Sequence, residues 1–304
     1  MSLLIVGTVA FDTIETPFGK ADMVVGGSGQ YAAYAASYFT NDINLVSIVG
    51  DDFPDAELAE LNKRGVKTDG VKIVEGGKSF YWAGKYHDNM NDRDTLVTDL
   101  NVLADFDPVL PTDYKQSEYI MLGNLTPDIQ ISVINQLEVK PKLVMLDTMN
   151  LWIDIAREPL LKAISMCDVL TINDEEARML SGEHSIVQAA AKILELGPKY
   201  LIIKKGEHGA LLFDNDNVFF APAMPLQRVT DPTGAGDCFA GGFLGYIAKT
   251  GDISFDNMKR ALVYGAAMAS FVVEDFSNHK IKSVTQSDIK ERIVRFVQLS
   301  QFTI

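Results

Sequence analysis

Short apolar runs ending in a polar residue or glycine recur along nearly the whole chain, with helix-like segments between them. LLIVG (Leu3–Gly7), NLVSIVG, EYIMLG, KLVMLD, DVLTIN and YLIIKKG are of this kind, and each reads as a buried strand. SGQYAAYAASYF between the first two is alanine-rich at helical spacing. PDAELAELNKRG carries a proline near its first turn, Leu58 and Leu61 on one face and a closing Gly65, so it predicts a helix. Another helix is expected from about Pro127. Strand, helix and strand in repeated succession predict an α/β fold: a mostly parallel central sheet with helices on both faces. In such sheets ligands gather at the carboxyl ends of the strands.

One stretch breaks the rhythm. VKIVEGGKSFYWAGKYHDNMNDRDTLVTDLNV, from Val71 to Val102, holds strand-like runs and no helix pattern. Its alternation and its glycines predict antiparallel hairpins. FDTIETPFGKADMVV adds further strands, so a small β-sheet lid is expected from about residues 12–25 and 71–102. The alternative is an edge extension of the main sheet. No internal repeat and no linker rich in Pro, Ser or Gly interrupts the chain, so residues 1–304 are expected to form one domain carrying that lid.

Composition limits the function classes. With 27 Lys+Arg against 41 Asp+Glu the net charge is −14, which argues against broad nucleic-acid binding. It does not exclude an anionic substrate, because local backbone donors outweigh distant charge. Cys167 and Cys238 sit in apolar surroundings, as expected of thiols in a reducing compartment. The N-terminus lacks the pattern of a signal peptide and no apolar run reaches a membrane span. A cytoplasmic protein with no membrane partner is the expectation.

Three glycine patterns invite a phosphate. GGKS (Gly76–Ser79) fails as a P-loop, because Lys72 stands where that motif needs glycine and no helix follows. GSGQYA from Gly27 opens a helix and is followed by Asp51 and Asp52 after the next strand, the outline of a dinucleotide fingerprint. An oxidoreductase is therefore a rival class. DPTGAGDCFAGG (Asp231–Gly242) is the third. Gly234, Ala235 and Gly236 precede an apolar helix expected to start near Asp237, where unpaired N–H groups carry partial positive charge and small side chains admit an anion. Asp237 could cap that helix. A carboxylate facing a phosphate is also what phosphoryl transfer needs, if it takes the proton of an incoming hydroxyl.

DPTGAGDCFAGGFLGYIA resembles the C-terminal signature of the ribokinase-like (PfkB-type) carbohydrate kinases. IVGTVAFD, GGSG, DTMNLW, NDEE and KKGEHG match further elements in the right order across nearly the whole chain. The resemblance implies a ribokinase-like sandwich that uses ATP and Mg²⁺ to phosphorylate a small sugar, with a nucleoside as the alternative acceptor. It implies Asp237 as the base and Gly234, Ala235 and Gly236 as the anion hole. Asp12, placed at the end of the first strand, would bind substrate hydroxyls with Gly26 and Gly27. Asn173 and Glu176 would organise Mg²⁺ through water, and Lys204, Gly206 and Gly209 would lie at the ATP. Asp231 and Thr233 fall where some members hold a monovalent cation such as K⁺.

The chain departs from the family in four places, one of them VVEDFSNHK, which lacks a clear glycine where the adenine pocket closes. Tyr31 stands where an asparagine is common, which leaves Gln30 as its expected replacement towards substrate. DTMNLW lacks the usual arginine, and Lys204 replaces a small polar residue. Tyr81, Trp82 and Tyr86 either stack on the acceptor or hold the hairpins together, and an aromatic lid could equally serve as a homodimer contact. His87, His184, His208 and His279 show no metal-ligand spacing.

Overall fold

The computed structural model describes residues 1–301. Its strands are β1 (Leu3–Val6), β2 (Ala10–Thr16), β3 (Gly19–Gly26), β4 (Ile43–Gly50), β5 (Val66–Val74), β6 (Phe80–Tyr86) and β7 (Arg93–Asp99). They continue with β8 (Tyr119–Leu122), β9 (Leu143–Asp147), β10 (Val169–Asn173), β11 (Tyr200–Lys204), β12 (Ala210–Phe213) and β13 (Val218–Ala221). Nine of them form one sheet in the order β13-β12-β11-β10-β9-β8-β1-β4-β5. It is parallel from β5 across to β11, and only β12 and β13 run antiparallel at one edge.

The helices are α1 (Ser28–Ala36), α2 (Asp55–Lys63), α3 (Pro127–Asn135), α4 (Asn150–Ile155), α5 (Arg157–Ser165), α6 (Asp174–Ser181) and α7 (Ile186–Leu194). The last four are α8 (Ala235–Thr250), α9 (Phe255–Val272), α10 (His279–Ser283) and α11 (Gln286–Ser300). Period-two alternation in the strands assigns them to two faces. Leu3 and Ile5 of β1 join a core with Ala32 of α1, Phe243 of α8 and Leu262 of α9. Leu4 and Val6 join a second core with Val133 of α3, Leu160 of α5, Leu180 of α6 and Ile193 of α7. None of the helices is long and apolar enough to cross a membrane among the described residues.

Helices α1 and α8 approach so closely that only small residues fit. A Cβ on Gly241 would lie 2.2 Å from the Ala32 carbonyl oxygen, which explains the Ala-rich run facing a Gly-rich one. This packing brings the N-termini of both helices to one side of the sheet.

The remaining strands make a second sheet in the order β3-β2-β6-β7. Two antiparallel hairpins, β2–β3 and β6–β7, are joined by parallel pairing of Ala10–Glu15 with Phe80–Lys85. Three details differ from the sequence expectation. Val71–Val74 belong to β5 at the edge of the main sheet, paired with Ser47–Gly50, because they continue the register of β4, with Val71 buried and Lys72 and Ile73 exposed. Asp12 lies within β2 of the small sheet and not at the end of β1. The strand before GSGQYA is β3, in the small sheet and antiparallel to β2, so no βαβ unit is formed there. Asp51 and Asp52 are also otherwise engaged. Asp51 accepts from the Gly76 amide at 2.7 Å, and Asp52 accepts from the Ser79 amide at 2.8 Å and its hydroxyl at 2.6 Å. The dinucleotide fingerprint therefore lacks its fold.

Of the aromatics, Trp82 packs within the hairpin pair. Its indole N–H donates to Thr95 at 3.4 Å and its ring lies where a Cβ on Gly84 would sit. Tyr86 points elsewhere, into the site described next.

Candidate active site

Helix α8 starts two residues earlier than its apolar pattern suggests. Gly234 is its N-cap at φ +76°, a left-handed conformation that costs a residue with a Cβ. No side chain caps the helix, so Asp237 stands in the first turn with its carboxylate uncommitted. The capping role is thereby removed. The Ala235 amide donates to the Pro232 carbonyl and the Cys238 amide to the Gly234 carbonyl. Among the described residues, no backbone hydrogen bond outside the helices engages the Gly236 or Asp237 amide, leaving both for an anion.

A cation waits at that nest. Lys204 ends β11, and its Nζ lies 3.2 Å from where a Cβ on Gly236 would be. The same ammonium donates to Asp147 Oδ1 at 3.1 Å, with the side chains only 19% and 8% exposed. Burial works to lower the Lys204 pKa, but the carboxylates of Asp147, Glu176 and Asp237 outweigh it and hold the lysine charged. Burial, then Asp147, pushes Asp237 up to about 7 against the pull of Lys204 and Arg93. Such a value suits a general base near neutral pH.

Asn173 and Glu176 form a reciprocal capping box on α6. The Asn173 side chain accepts from the Glu176 amide and Glu176 Oε2 accepts from the Asn173 amide, both at 2.7 Å. Capping therefore occupies one Glu176 oxygen. Burial raises the Glu176 pKa to about 7, while Lys204 pulls it down, so the carboxyl belongs to the Lys204 cluster as well as to its helix. Gly206 and Gly209 follow β11 in a tight turn with φ +53° and +90°. A Cβ on Gly206 would meet Asn91 Oδ1 at 2.7 Å, so the β6–β7 turn of the small sheet reaches this loop.

The acceptor side is acidic. Asp12 is 5% exposed, and burial, then Asp231 and Asp237, push its carboxyl up to about 8. A Cβ on Gly26 would overlap Asp12 Oδ2, and one on Gly27 would clash with the Thr8 carbonyl. Asp231 braces the loop: its Oδ1 accepts from the Thr233 amide at 2.8 Å and its Oδ2 from the Ser277 amide at 3.0 Å. Thr233 donates to the Tyr86 hydroxyl at 3.2 Å.

Gln30 does not face the acceptor side. Its Nε2 donates to Glu57 at 3.3 Å, on the side where Lys282 pairs with the same carboxylate. Tyr31 turns inward instead, its ring against Gly234. Sequence reasoning also missed Arg93 at the start of β7, whose charge acts on Asp237, Glu176 and Tyr86. Asp147, the partner of Lys204, stands in DTMNLW with no local sequence signal that marks it for the site.

ATP and Mg²⁺ fit this donor set. Open amides and a little-exposed lysine suit phosphate oxygens, and the neighbouring carboxyls, once ionised, suit the waters of a hydrated divalent cation. No group of three or more His, Cys, Asp or Glu that could hold a metal ion occurs among the described residues.

Known proteins resemble this chain in sequence and in fold. The model of the pfkB family carbohydrate kinases matches residues 6–280. The chain is 30% identical to the cytidine kinase of Thermococcus kodakarensis, over 80% of this chain and 87% of that protein. It is 26% identical to the deoxyribokinase of Salmonella typhi, over 84% of each. Among solved structures it resembles Arabidopsis thaliana ribokinase complexed with ribose and ATP (TM-score 0.76, 21% identity, 96% of this chain and 98% of that one). It also resembles Burkholderia thailandensis nucleoside kinase in complex with inosine (TM-score 0.74, 18% identity, the whole of both chains).

Proposed function

Because the chain belongs to the pfkB family of carbohydrate kinases, a family of phosphotransferases with alcohol acceptors, we propose that it moves the γ-phosphate of ATP to a hydroxyl of a small sugar. A nucleoside is the second reading, favoured by the cytidine kinase relative. The observation that carries the proposal is the uncapped Asp237 carboxylate beside open helix amides and the Lys204 ammonium. An oxidoreductase is ruled out by the antiparallel strand before GSGQYA.

In the proposed mechanism the acceptor lies along Asp12, Gly26 and Gly27, with its hydroxyl at Asp237. Asp237 takes the hydroxyl proton as the oxygen attacks phosphorus. Of the Gly234, Ala235 and Gly236 hole that the sequence predicts, Ala235 spends its amide on the Pro232 carbonyl, so Gly234 and Gly236, with Lys204, would receive the charge on the transferring phosphoryl group. Mg²⁺, when bound with ATP, neutralises phosphate charge, and Glu176 with Asn173 would hold its waters. Lys204, Gly206 and Gly209 line the ATP side. The small sheet acts as a lid, excluding water and delivering Arg93 to the same charges. A coupled assay of ADP release across sugars and nucleosides tests the reading, and absence of ATP-dependent turnover with every one would overturn it.

The Asp237 carboxyl, raised to about 7, must be ionised to act. kcat/KM is therefore expected to rise with pH up to about 7 and level off above it. A profile already flat from pH 5 would remove Asp237 from the base role.

We also propose K⁺ at Asp231 and Thr233. Both Asp231 oxygens already accept amides, so the ion would use their remaining lone pairs. K⁺ is expected to raise kcat/KM above the value in Na⁺ at equal ionic strength, and equal rates would dismiss the site.

A further inference from the structure

Gln130 is a polar residue in an apolar setting. It lies on α3 with 1% of its surface exposed, and its helix neighbours Ile131 and Val133 share a core with Leu122 of β8 and Leu146 of β9. A buried amide needs partners. Both protons of this one are spent at the sheet, since Nε2 donates to the Gly123 carbonyl and to the Asp147 carbonyl, each at 2.9 Å. Its Oε1 has no partner among the described residues, so the two bonds from Nε2 set which way the amide faces.

Those carbonyls stand where the pairing of β8 with β9 stops. The last paired residues are Leu122 and Leu146, and Gly123 and Asp147 come next. Gln130 replaces the missing rung. It does so at the residue whose carboxylate holds Lys204, at 3.1 Å and with both side chains little exposed. The Lys204 ammonium in turn lies 3.2 Å from where a Cβ on Gly236 would be. A line of contacts thus runs from Gln130 through the backbone of Asp147 and its ion pair to the anion nest. A strand end without its rung can drift, and a misplacement of about 1 Å is enough to spoil a contact on which chemistry depends.

We propose that Gln130 is a positioning residue: by tying the end of β9 to the end of β8 it fixes where Asp147 holds the Lys204 ammonium beside the anion nest, and so sets the affinity for the phosphates of ATP. Gln130 itself touches neither ATP nor acceptor. The inference rests on the kinase reading above for its ligand. It gives a part in phosphate binding to a helix on the opposite face of the sheet from α8.

The test sets Gln130→Met beside Val133→Ala. Methionine keeps the length of the side chain and removes both donors. Alanine at position 133 opens a cavity under the same helix and leaves the tie intact. Calorimetric titration with ATP and Mg²⁺ reads affinity without turnover, and melting curves report folding. Gln130→Met is expected to weaken ATP binding about tenfold, the scale of one charge-assisted contact, while the KM for the acceptor stays within about threefold. Val133→Ala is expected to lower the melting temperature and to change ATP affinity by less than about twofold, as a core truncation away from the site does. If Gln130→Met melts too low to titrate, Gln130→Asn, too short to reach both strands, takes its place with the same expectation. ATP affinity unchanged in the Gln130 variant, or lowered as much by Val133→Ala, overturns the positioning role. A wild type that binds ATP but phosphorylates no acceptor removes the kinase reading and leaves this comparison valid. A wild type that does not bind ATP removes both.

Discussion

Asp237→Asn is expected to lower kcat at least about a hundredfold, the usual scale for a lost general base, while the affinity for ATP stays within a few-fold. The reason lies in what Asp237 does not do. It caps no helix, and its neighbours Gly234 and Gly236 carry the turn, so the amide can replace the carboxylate without disturbing the anion hole. Asparagine cannot accept the hydroxyl proton. Single-turnover kinetics together with ATP titration by calorimetry separate chemistry from binding. Turnover within tenfold of the wild type would falsify the assignment, and a matched loss of ATP affinity would instead place Asp237 among the phosphate contacts.

Lys204→Met is expected to damage both stability and binding. Lys204 and Asp147 form a pair at 3.1 Å with little exposure. Removing the ammonium leaves the Asp147 carboxylate uncompensated next to Glu176 and Asp237. Broken buried pairs cost about 3–5 kcal/mol, and the partial exposure here points to the lower end, about 3 kcal/mol by urea unfolding. Affinity for ATP should fall on the order of tenfold or more with the loss of a charge-assisted contact. A third readout is specific to the electrostatics. Lys204 pulls the Asp237 pKa down, so its loss should move the midpoint of the pH–kcat/KM profile upward. An unshifted midpoint would show that Lys204 does not face the base.

Much of this architecture was legible in the sequence because local rules govern it. Runs such as KLVMLD and DVLTIN became β9 and β10 since continuous apolar strands suit a sheet covered on both sides. DPTGAGD revealed its nest because glycine at positive φ and an uncapped helix start are properties of adjacent residues. What escaped depends on partners distant in the chain. A helix turns by about 100° per residue, so Gln30 and Tyr31 face different neighbours. Only the packing of α1 on α8 decides that Tyr31 meets Gly234 and Gln30 meets Glu57. Val71–Val74 and Phe80–Tyr86 share the same strand chemistry, and pairing with β4 or with β2 is settled by the tertiary fold. Arg93 is exposed, its guanidinium over the Trp82 ring, and is unremarkable in sequence until β7 brings its charge to bear on Asp237.

The parallel seam between β2 and β6 has a mechanical consequence. The small sheet is strung between β1 and α1 through one hairpin and leaves from β5 through the other, so the chain crosses to and from the main body four times. A flap on a single hinge can swing wide, whereas a plate moored at four points can only tilt or slide a short way. Asp12 is carried on that plate and Asp237 on the body. In the lid reading proposed above, their separation would change only within the short travel that four moorings allow.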